Sequence, residues 1–305
     1  MDPLSDILTL MRPTGYGFRG LDAGGRWALS FSAAIGIRCF AIETGTCFLR
    51  AADAPAAIRL DAGDVVLVSS DNAFDLYSCE EAQPVDAVAF LCEVAPGRTA
   101  ILNGGGECRG IGGFFAVGGT EIDRVFAALP AVVHVGAGAT RTALYASAQK
   151  LMHELSEPRP GSELLASHLA QALIIEALRA HMEDGKISRG WLSALAVPAL
   201  NRALGAMHAD VARRWTLTAL ADIAGMSRSS FAAHFERVIG ETPIAYLTRW
   251  RMVLAADRMA NSAMTITDVA SMVGYESDSA FGATFKRIMG YPPGQHRQRA
   301  AAASL

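Results

Sequence analysis

Histidine and cysteine are the side chains that most often hold a transition metal or act as nucleophiles. In this sequence the histidines and the cysteines lie in different regions of the chain. No histidine occurs before position 134. The five cysteines, Cys39, Cys47, Cys79, Cys92 and Cys108, form no CxxC pair. The sequence therefore predicts no catalytic residue, no metal site and no cofactor, and an enzyme is not expected.

One thiol is a candidate for redox chemistry. Cys108 follows the glycine-rich segment Gly104-Gly105-Gly106 and precedes Arg109, whose charge would lower the pKa of the thiol. Cys79 precedes two glutamates and should be less reactive. A thiol-based sensor is therefore one interpretation of the N-terminal part.

The chemistry that the sequence favours is DNA binding, and it lies in a repeat near the C-terminal end. Residues 216–243 reappear as residues 265–293. The landmarks that recur after 49 or 50 positions are Thr218, Ala221, Gly225, Phe231, Phe235, Arg237, Gly240 and Pro243. In each copy, apolar residues at a spacing of three predict one helix, the glycine closes a turn, and Ser227 or Ser277 can cap a second helix. The sequence thus predicts helix-turn-helix units at residues 216–240 and 265–290.

The second helix of each unit carries the predicted DNA contacts. Residues near its start reach base edges, and cations further along hold phosphates. The predicted contacts of the first unit are Arg228, Ser229, Ser230, Ala232, Ala233, His234 and Arg237, with Arg249 from the helix that follows. Those of the second unit are Asp278, Ser279, Gly282, Ala283, Thr284, Lys286 and Arg287. For the cations among them, an internal ion pair or a solvated surface position is the alternative.

The segment between the two copies should hold them at a fixed distance. Residues 244–260 have helical periodicity and follow Pro243, a residue common in the first turn of a helix. A helix of this length spans about 25 Å, which suits two units that enter successive major-groove segments about 34 Å apart.

The residues before the repeat show patterns typical of strands first and of helices later. Short β-branched and aromatic runs predict strands at residues 27–32, 35–42, 46–49, 64–68, 85–91 and 114–117. Separated by turn residues such as Gly63-Asp64, they indicate an antiparallel sandwich or barrel. After about residue 140, apolar residues at helical spacing predict two helices that form an antiparallel pair. This pair either packs on the sheet or forms the seam of a homodimer.

Length and charge divide the chain into two domains. Residues 1–198 carry 15 basic and 22 acidic side chains, a net charge of −7, whereas residues 199–305 carry 12 and 8, a net charge of +4. A positive C-terminal part on a negative chain fits the binding of a polyanion. We predict an α+β protein with a sensory and dimerisation domain at residues 1–198, β-rich to about 120 and helical at about 140–185. Residues 199–305 form an all-α DNA-binding domain.

The sequence gives no indication of a membrane. No stretch reaches the roughly 18 uninterrupted apolar residues that spanning a bilayer requires, and the first ten residues do not read as an export signal. The expected location is the cytoplasm.

Several segments of the repeat carry a family resemblance. They are residues 225–231 (GMSRSSF), 245–252 (AYLTRWRM), 273–277 (VGYES), 285–287 (FKR) and 290–293 (GYPP). Over about a hundred residues the chain resembles the AraC/XylS family of bacterial transcriptional regulators. The resemblance implies two helix-turn-helix units joined by a long helix, double-stranded promoter DNA as a partner, and activation through RNA polymerase rather than repression. Family members often have arginine where this chain has Ala233 and Ala283, so a bidentate contact from arginine to guanine is absent there.

The N-terminal part resembles a cupin-like sensory domain found in a subset of that family. The similarity lies in the Gly63-Asp64 turn and the later loop at residues 104–107. Related domains commonly have histidine near the positions of Phe40 and Phe74, so metal chemistry is not expected here. The resemblance implies an unknown small effector, and the apolar residues at these positions favour one of apolar or aromatic character. The predicted pocket residues are Phe40, Phe48, Val66, Val68 and Phe74, which could equally fill a solid core.

Two alternatives stay open on the sequence alone. The first is a small-molecule-binding or enzymatic cupin with a vestigial DNA-binding module. The second is a regulator that senses oxidants through a thiol.

Overall fold

The computed structural model describes residues 2–10, 13–34, 36–52, 56–69, 72–117, 131–136, 139–183 and 190–303. They form two compact units. The β unit contains the described residues between 13 and 183, and the helical unit contains residues 2–10 and 190–303. This confirms the predicted α+β class with a β-rich N-terminal and a helical C-terminal domain.

The division differs in detail from the predicted boundary after residue 198. Residues 190–198 and the first helix of the chain belong to the helical unit. Some predicted segments extend beyond what is described: residue 35 of one strand, residues 118–120 of the β-rich part and residues 184–185 of the helical part lie outside the described residues.

The described strands of the β unit lie in two sheets. They are β1 (Pro13–Ala23), β2 (Ala28–Phe31), β3 (Ile37–Thr44), β4 (Thr46–Ala51), β5 (Ile58–Asp61), β6 (Val65–Val68), β7 (Phe74–Tyr77), β8 (Pro84–Asp86), β9 (Thr99–Leu102), β10 (Cys108–Val117) and β11 (Val132–Val135). One sheet has the order β11-β6-β3-β10-β1-β9 and the other β5-β4-β7-β2-β8. Neighbours pair antiparallel, except β1 with β9 and β2 with β8. The arrangement is the predicted sandwich.

Aromatic rings from both sheets meet in the core of the β unit. Phe31 of β2 stacks on Phe74 of β7 with ring centroids 4.6 Å apart. Phe40 of β3 meets these two rings edge-on at 5.3 Å and 5.6 Å. All three side chains are buried, so this cluster joins the sheets through apolar contact.

The Gly63-Asp64 turn carries the chain from one sheet to the other. It links β5 to β6, which pair with β4 and β3 respectively. The buried Asp64 carboxylate accepts a hydrogen bond from the Asp61 backbone N at 3.0 Å and contacts His134 Nε2 at 3.0 Å.

Four of the described strands, β1, β7, β9 and β11, were not predicted, and only the last four residues of β10 were. In β1 and β10, glycines interrupt the pattern of strand-forming residues. Their glycines allow close packing between adjacent strands: a Cβ atom at Gly113 would lie 2.4 Å from the Phe18 ring. Here glycine marks a close approach rather than the end of a strand.

The predicted strand at residues 85–91 is wrong. Only the short β8 occurs there, followed by helix α2 (Ala87–Cys92). The Asp86 carboxylate accepts a hydrogen bond from the Ala89 backbone N at 2.9 Å and caps this helix. The cap therefore outweighs the β propensity of the valines.

Two helices complete the β unit, as predicted. α3 (Ala139–Ser156) and α4 (Ser162–Glu183) pack on each other and on the sheet that contains β6. In the turn between them, the buried Glu154 carboxylate accepts hydrogen bonds from Ser162 Oγ at 2.7 Å and Arg159 Nη2 at 2.6 Å.

The helical unit includes the first helix of the chain. Its helices are α1 (Pro3–Leu10), α5 (Trp191–Leu195), α6 (Pro198–Ala209), α7 (Leu217–Ala224), α8 (Arg228–Ile239), α9 (Pro243–Asn261), α10 (Ile266–Met272), α11 (Asp278–Met289) and α12 (Pro293–Ala303). α1 buries Leu4, Ile7 and Leu10 and packs on α5 and α6. No helix among the described residues has the length and apolar character that crossing a membrane requires.

A buried polar group fixes α1 to this unit. His208 of α6 contacts Asp6 Oδ2 through Nδ1 at 3.2 Å and the Tyr246 hydroxyl through Nε2 at 2.8 Å. Its ring stacks on Trp250 with centroids 4.3 Å apart. Both ring nitrogens thus have partners in a site that excludes water.

Candidate nucleic-acid interface

The first helix-turn-helix unit consists of α7 and α8. Thr216 Oγ1 accepts a hydrogen bond from the Ala219 backbone N at 3.2 Å and begins α7. Ser227 Oγ accepts one from the Ser230 backbone N at 3.3 Å and begins α8. Arg202 of α6 donates to the Ala224 carbonyl at 2.8 Å, which secures the end of α7. Local caps therefore fix where α7 and α8 begin, and a contact from α6 holds the end of α7.

The second unit, α10 and α11, repeats this construction. Thr265 and Asp268 form a capping box at the start of α10, and Ser277 caps α11. Gly274 closes the turn with φ +83°, and a Cβ atom there would lie 2.3 Å from the Ala212 carbonyl oxygen. Only glycine fits this turn without displacing backbone.

Pairs of phenylalanines set which face of each second helix points inward. Phe231 and Phe235 of α8 are fully buried, as are Phe281 and Phe285 of α11. The ring centroids lie 5.6 Å apart in both pairs. The opposite faces of α8 and α11 are consequently directed away from the core.

The predicted DNA contacts lie mainly on those outer faces. The exposed ones are Arg228, Ser229, Ser230, Ala233, Arg237, Asp278, Ser279, Ala283, Lys286 and Arg287. Ala232, His234, Gly282 and Thr284 are half-buried at the edges of the same faces. The Asp278 carboxylate accepts a hydrogen bond from Thr267 Oγ1 at 2.6 Å, which reduces its freedom to contact a base.

The predicted cations differ in their surroundings. Within the described part of the chain, Arg228, Arg237, Lys286 and Arg287 have no ion pair. Arg249 instead contacts the Glu241 carboxylate through Nη2 at 2.5 Å and lies 5.4 Å from the Tyr246 ring centroid. The alternative of an internal ion pair therefore applies to Arg249.

Helix α9 connects the two units. It runs over Pro243–Asn261, slightly longer than the predicted 244–260, and its 19 residues span about 28 Å. It contacts α8 on one side and α10, α11 and α12 on the other. Arg251 of α9 donates to the Val211 carbonyl at 2.8 Å. These contacts make α9 part of a packed core, not a free linker.

The β unit contains a cavity that the predicted pocket mostly misses. Its volume is about 330 Å³, and residues of β1, β2, β3, β10 and α2 line it. Of the five predicted pocket residues only Phe40 lines this cavity. Val66, Val68 and Phe74 are buried in the core, and Phe48 stacks on Tyr77 with centroids 5.7 Å apart.

Sequence reasoning missed the charged residues of the cavity. Arg19 and Arg38 both line it. The signal for Arg38 was present: it interrupts the apolar run of β3, where a charge is exceptional. Arg19 gave no comparable signal, because β1 was not recognised as a strand.

The structure does not support Arg109 as the residue that activates the Cys108 thiol. Cys108 is buried, and Arg109 is near Asp22 at 3.7 Å and Glu43 at 3.9 Å. A hydrogen bond from the Cys47 thiol, not Arg109, lowers the pKa of Cys108, while the same contact and burial raise the pKa of Cys47. Within the described ranges, no three His, Cys, Asp or Glu side chains are placed to hold a metal ion.

Solved structures provide one set of comparisons. Apo ToxT from Vibrio cholerae is 12% identical, with a TM-score of 0.37, over 94% of this chain and 98% of that one. The DNA-binding domain of AdpA in complex with a target DNA is 24% identical, with a TM-score of 0.33, over 35% of this chain and 95% of that one.

Sequence comparison matches the whole chain. A cupin domain model matches residues 2–183, and a model of a helix-turn-helix domain matches residues 220–299. An AraC-like transcription regulator of Streptomyces lividans is 38% identical over 305 residues, covering 98% of each protein. The HTH-type transcriptional regulator AlkR of Acinetobacter baylyi is 30% identical over 98% of this chain and 100% of its own. With its repeated helix-turn-helix units and this full-length similarity, the chain belongs to the family of AraC-like DNA-binding transcription regulators.

Proposed function

We propose that both helix-turn-helix units of this regulator enter successive major-groove segments of promoter DNA, and that the protein activates transcription under the control of a small effector bound in the β unit. The observation that carries the proposal is the repeated outward face of α8 and α11. Each face presents small polar side chains near its start and, further along, cations that have no ion pair among the described residues. Hydroxyl groups and cations in that order suit base edges and phosphates.

The roles of individual residues follow from their exposure. Arg228, Ser229, Ser230 and Ser279 are exposed at the starts of the two helices, where base edges come within reach. Arg237, Lys286 and Arg287 lie one to three turns further along and would hold phosphates. Arg249, paired with Glu241, supports the start of α9 and is no longer a preferred DNA contact.

The experiment that tests DNA recognition is a binding titration of the full chain. Fragments from upstream of its own coding sequence and of neighbouring genes are compared with random duplex at low and at physiological salt. We expect at least one fragment to bind more tightly than random DNA at both salt concentrations. Equal affinity for every fragment would refute promoter recognition.

Activation and assembly are tested separately. A reporter behind the bound fragment, measured with and without the chain, distinguishes recruitment of RNA polymerase from repression. Sedimentation of the full chain tests the homodimer. We propose the cytoplasm as the location, because promoter DNA is the expected partner.

A redox role is the second candidate, and one observation favours it. Cys47 and Cys108 line the same small cavity of about 40 Å³ and share a hydrogen bond. Hydrogen peroxide could oxidise the two thiols to a disulfide, with both oxygen atoms leaving as water. Peptide mapping after peroxide treatment tests this. A Cys47–Cys108 disulfide supports the role, and two unmodified thiols under conditions that oxidise Cys92 reject it.

A further inference from the structure

The cavity of about 330 Å³ in the β unit is lined by apolar surface and by positively charged side chains. Phe31, Phe40 and Phe114 contribute aromatic surface, and Leu91 of α2 adds aliphatic surface. Among the described residues, the charged side chains that line the cavity are two arginines, Arg19 and Arg38, and none of the lining residues is acidic. Its volume is at the lower end of the range for small-molecule sites.

Arg38 is buried, and no described residue provides a counter-ion for it. It is 9% exposed, and its one hydrogen bond within the described residues runs from Nη1 to the Ser32 carbonyl at 2.8 Å. No carboxylate among those residues pairs with it. Burial lowers the pKa of the guanidinium, and no neighbouring charge opposes that effect. A guanidinium has five N–H donors, so most of its hydrogen-bonding capacity has no partner among the residues that the structure describes.

Aromatic rings surround the Arg38 guanidinium instead. Its Cζ atom lies 5.4 Å from the Phe31 centroid, 5.6 Å from Phe74 and 5.8 Å from Phe114. Such contacts hold the side chain in place but do not replace a carboxylate. A rigid arginine in an apolar site is well suited to bind a planar anion through two parallel hydrogen bonds.

Arg19 adds a second positive charge to the cavity. Its Nε atom donates to the Val94 carbonyl at 2.5 Å, which anchors the side chain beside α2. Two cations without an acidic lining residue favour an anion over a neutral molecule. The aromatic walls favour an apolar body over a bare inorganic ion.

We propose that this cavity binds an organic acid, with its carboxylate on Arg38 and an aromatic or aliphatic body against Phe31, Phe40 and Phe114. The regulatory role of this ligand rests on the function proposed above, whereas its binding does not. The acid would supply the counter-ion that Arg38 lacks.

Calorimetric binding to the full chain, without DNA, tests the proposal. The probes are benzoate, phenylacetate, 3-phenylpropionate, octanoate and decanoate, each paired with its neutral amide. We expect at least one acid to bind and its amide to bind about ten- to a hundredfold more weakly, as when a charged hydrogen-bonding partner is lost. An amide that binds as well as its acid, or no binding by any acid at millimolar concentration, would overturn the proposal.

Two variants assign the binding to this cavity. Arg38→Met keeps the length of the side chain. It should reduce the affinity for the acid by the same factor as replacing the acid with its amide does in the parent chain. Arg59→Met removes an exposed arginine of the same unit and should leave the affinity unchanged. Because Arg38→Met alters a buried position, Val88→Trp provides an independent test: Val88 lines the cavity, is 49% exposed, and should block it when enlarged. Unchanged affinity in both cavity variants would contradict the assignment.

A natural thiol reports on occupancy. Cys92 lines the cavity and is exposed, whereas Cys79 lies elsewhere in the unit. The bound acid should slow alkylation of Cys92 by iodoacetamide and leave that of Cys79 unchanged. Equal rates with and without acid would place the ligand elsewhere. A chain that binds the acid but no promoter would refute the proposed function and leave the ligand site intact.

Discussion

Arg249 and Arg287 have the same side chain but different surroundings. Arg249 is half-buried and contacts the Glu241 carboxylate at 2.5 Å. Arg287 is exposed on α11, with no ion pair among the described residues. An arginine already paired inside the protein has to lose that partner before it can bind a phosphate, whereas Arg287 does not. The sequence predicted both residues as DNA contacts, with Arg287 preferred, and the structure shows the ion pair of Arg249 that the sequence could not.

The variant Arg287→Ala should weaken binding to promoter and random DNA alike. One lost phosphate contact reduces the slope of log K against log salt by about one unit. Fluorescence anisotropy at several salt concentrations, with both duplexes, measures the effect. Arg249→Ala is the matched control and should leave the slope unchanged. A change in sequence preference at a constant salt slope would contradict the phosphate assignment of Arg287.

His208 should make the helical unit less stable in mild acid. Burial lowers its pKa below the ordinary value of 6.5, although its hydrogen bond with Asp6 opposes the shift. As the pH falls below 6.5, the unfolded chain takes up a proton that the folded His208 resists, so the free energy of unfolding decreases. The decrease is at most about 1.4 kcal/mol per pH unit and ends once the pH is below the folded pKa.

Thermal unfolding from pH 7.5 to 5.5 measures this dependence. The variant His208→Gln has no titrating group at the position, so its melting temperature should depend less on pH than that of the parent chain. Parallel curves for the two proteins would show that His208 does not contribute.

At the scale of elements, the sequence predicted best the helices whose ends are set by neighbouring residues. The helix-turn-helix units expected at 216–240 and 265–290 correspond to α7–α8 and α10–α11, whose caps and turns are formed by residues close in sequence. The glycine-rich β1 and the helix α2 were missed, since close packing in one case and a cap in the other outweighed strand propensity. The cavity lined by Arg19 and Arg38 was not predicted, because its lining residues come from elements distant in sequence.

The turn of the second helix-turn-helix unit is the most constrained point of these elements. Gly274→Ala should destabilise the helical unit by about 2 kcal/mol or more, because the new Cβ combines a positive φ with a contact at 2.3 Å to the Ala212 carbonyl oxygen. Chemical denaturation measures the change.

Gly205→Ala is the matched control for that substitution. Gly205 lies in α6, and a Cβ atom there meets nothing within 4 Å. Alanine at this position should stabilise the unit by up to about 1 kcal/mol. Equal effects of the two substitutions would indicate that the turn tolerates a side chain.

At the scale of the whole molecule, the β unit is inserted within the chain of the helical unit. α1 precedes the β unit in sequence, yet its apolar face is buried on α5 and α6. The sequence patterns did not predict this helix or its partner. A fragment that begins at residue 199 would lack α1 and α5, so DNA binding is best measured on the full chain.

The packing of α9 predicts how the protein responds to the spacing of its DNA site. α9 spans about 28 Å and contacts helices of both helix-turn-helix units, so the separation of α8 and α11 is fixed. Inserting about five base pairs between the two half-sites turns the second one to the opposite face of the duplex. Affinity should then fall to that of a single unit.

An insertion of about ten base pairs returns the second half-site to the same face of the duplex as the first, but moves it about 34 Å further away. A flexible linker would allow recovery at this spacing, whereas the packed α9 cannot follow, and the affinity should stay low. The DNA site is first mapped by footprinting, and mobility-shift assays then measure the affinity for each insertion. A ten-base-pair insertion outside the footprint is the control and should have no effect. Full affinity at five base pairs would mean that only one unit binds, and recovery at ten would mean that α9 does not hold the units at a fixed distance.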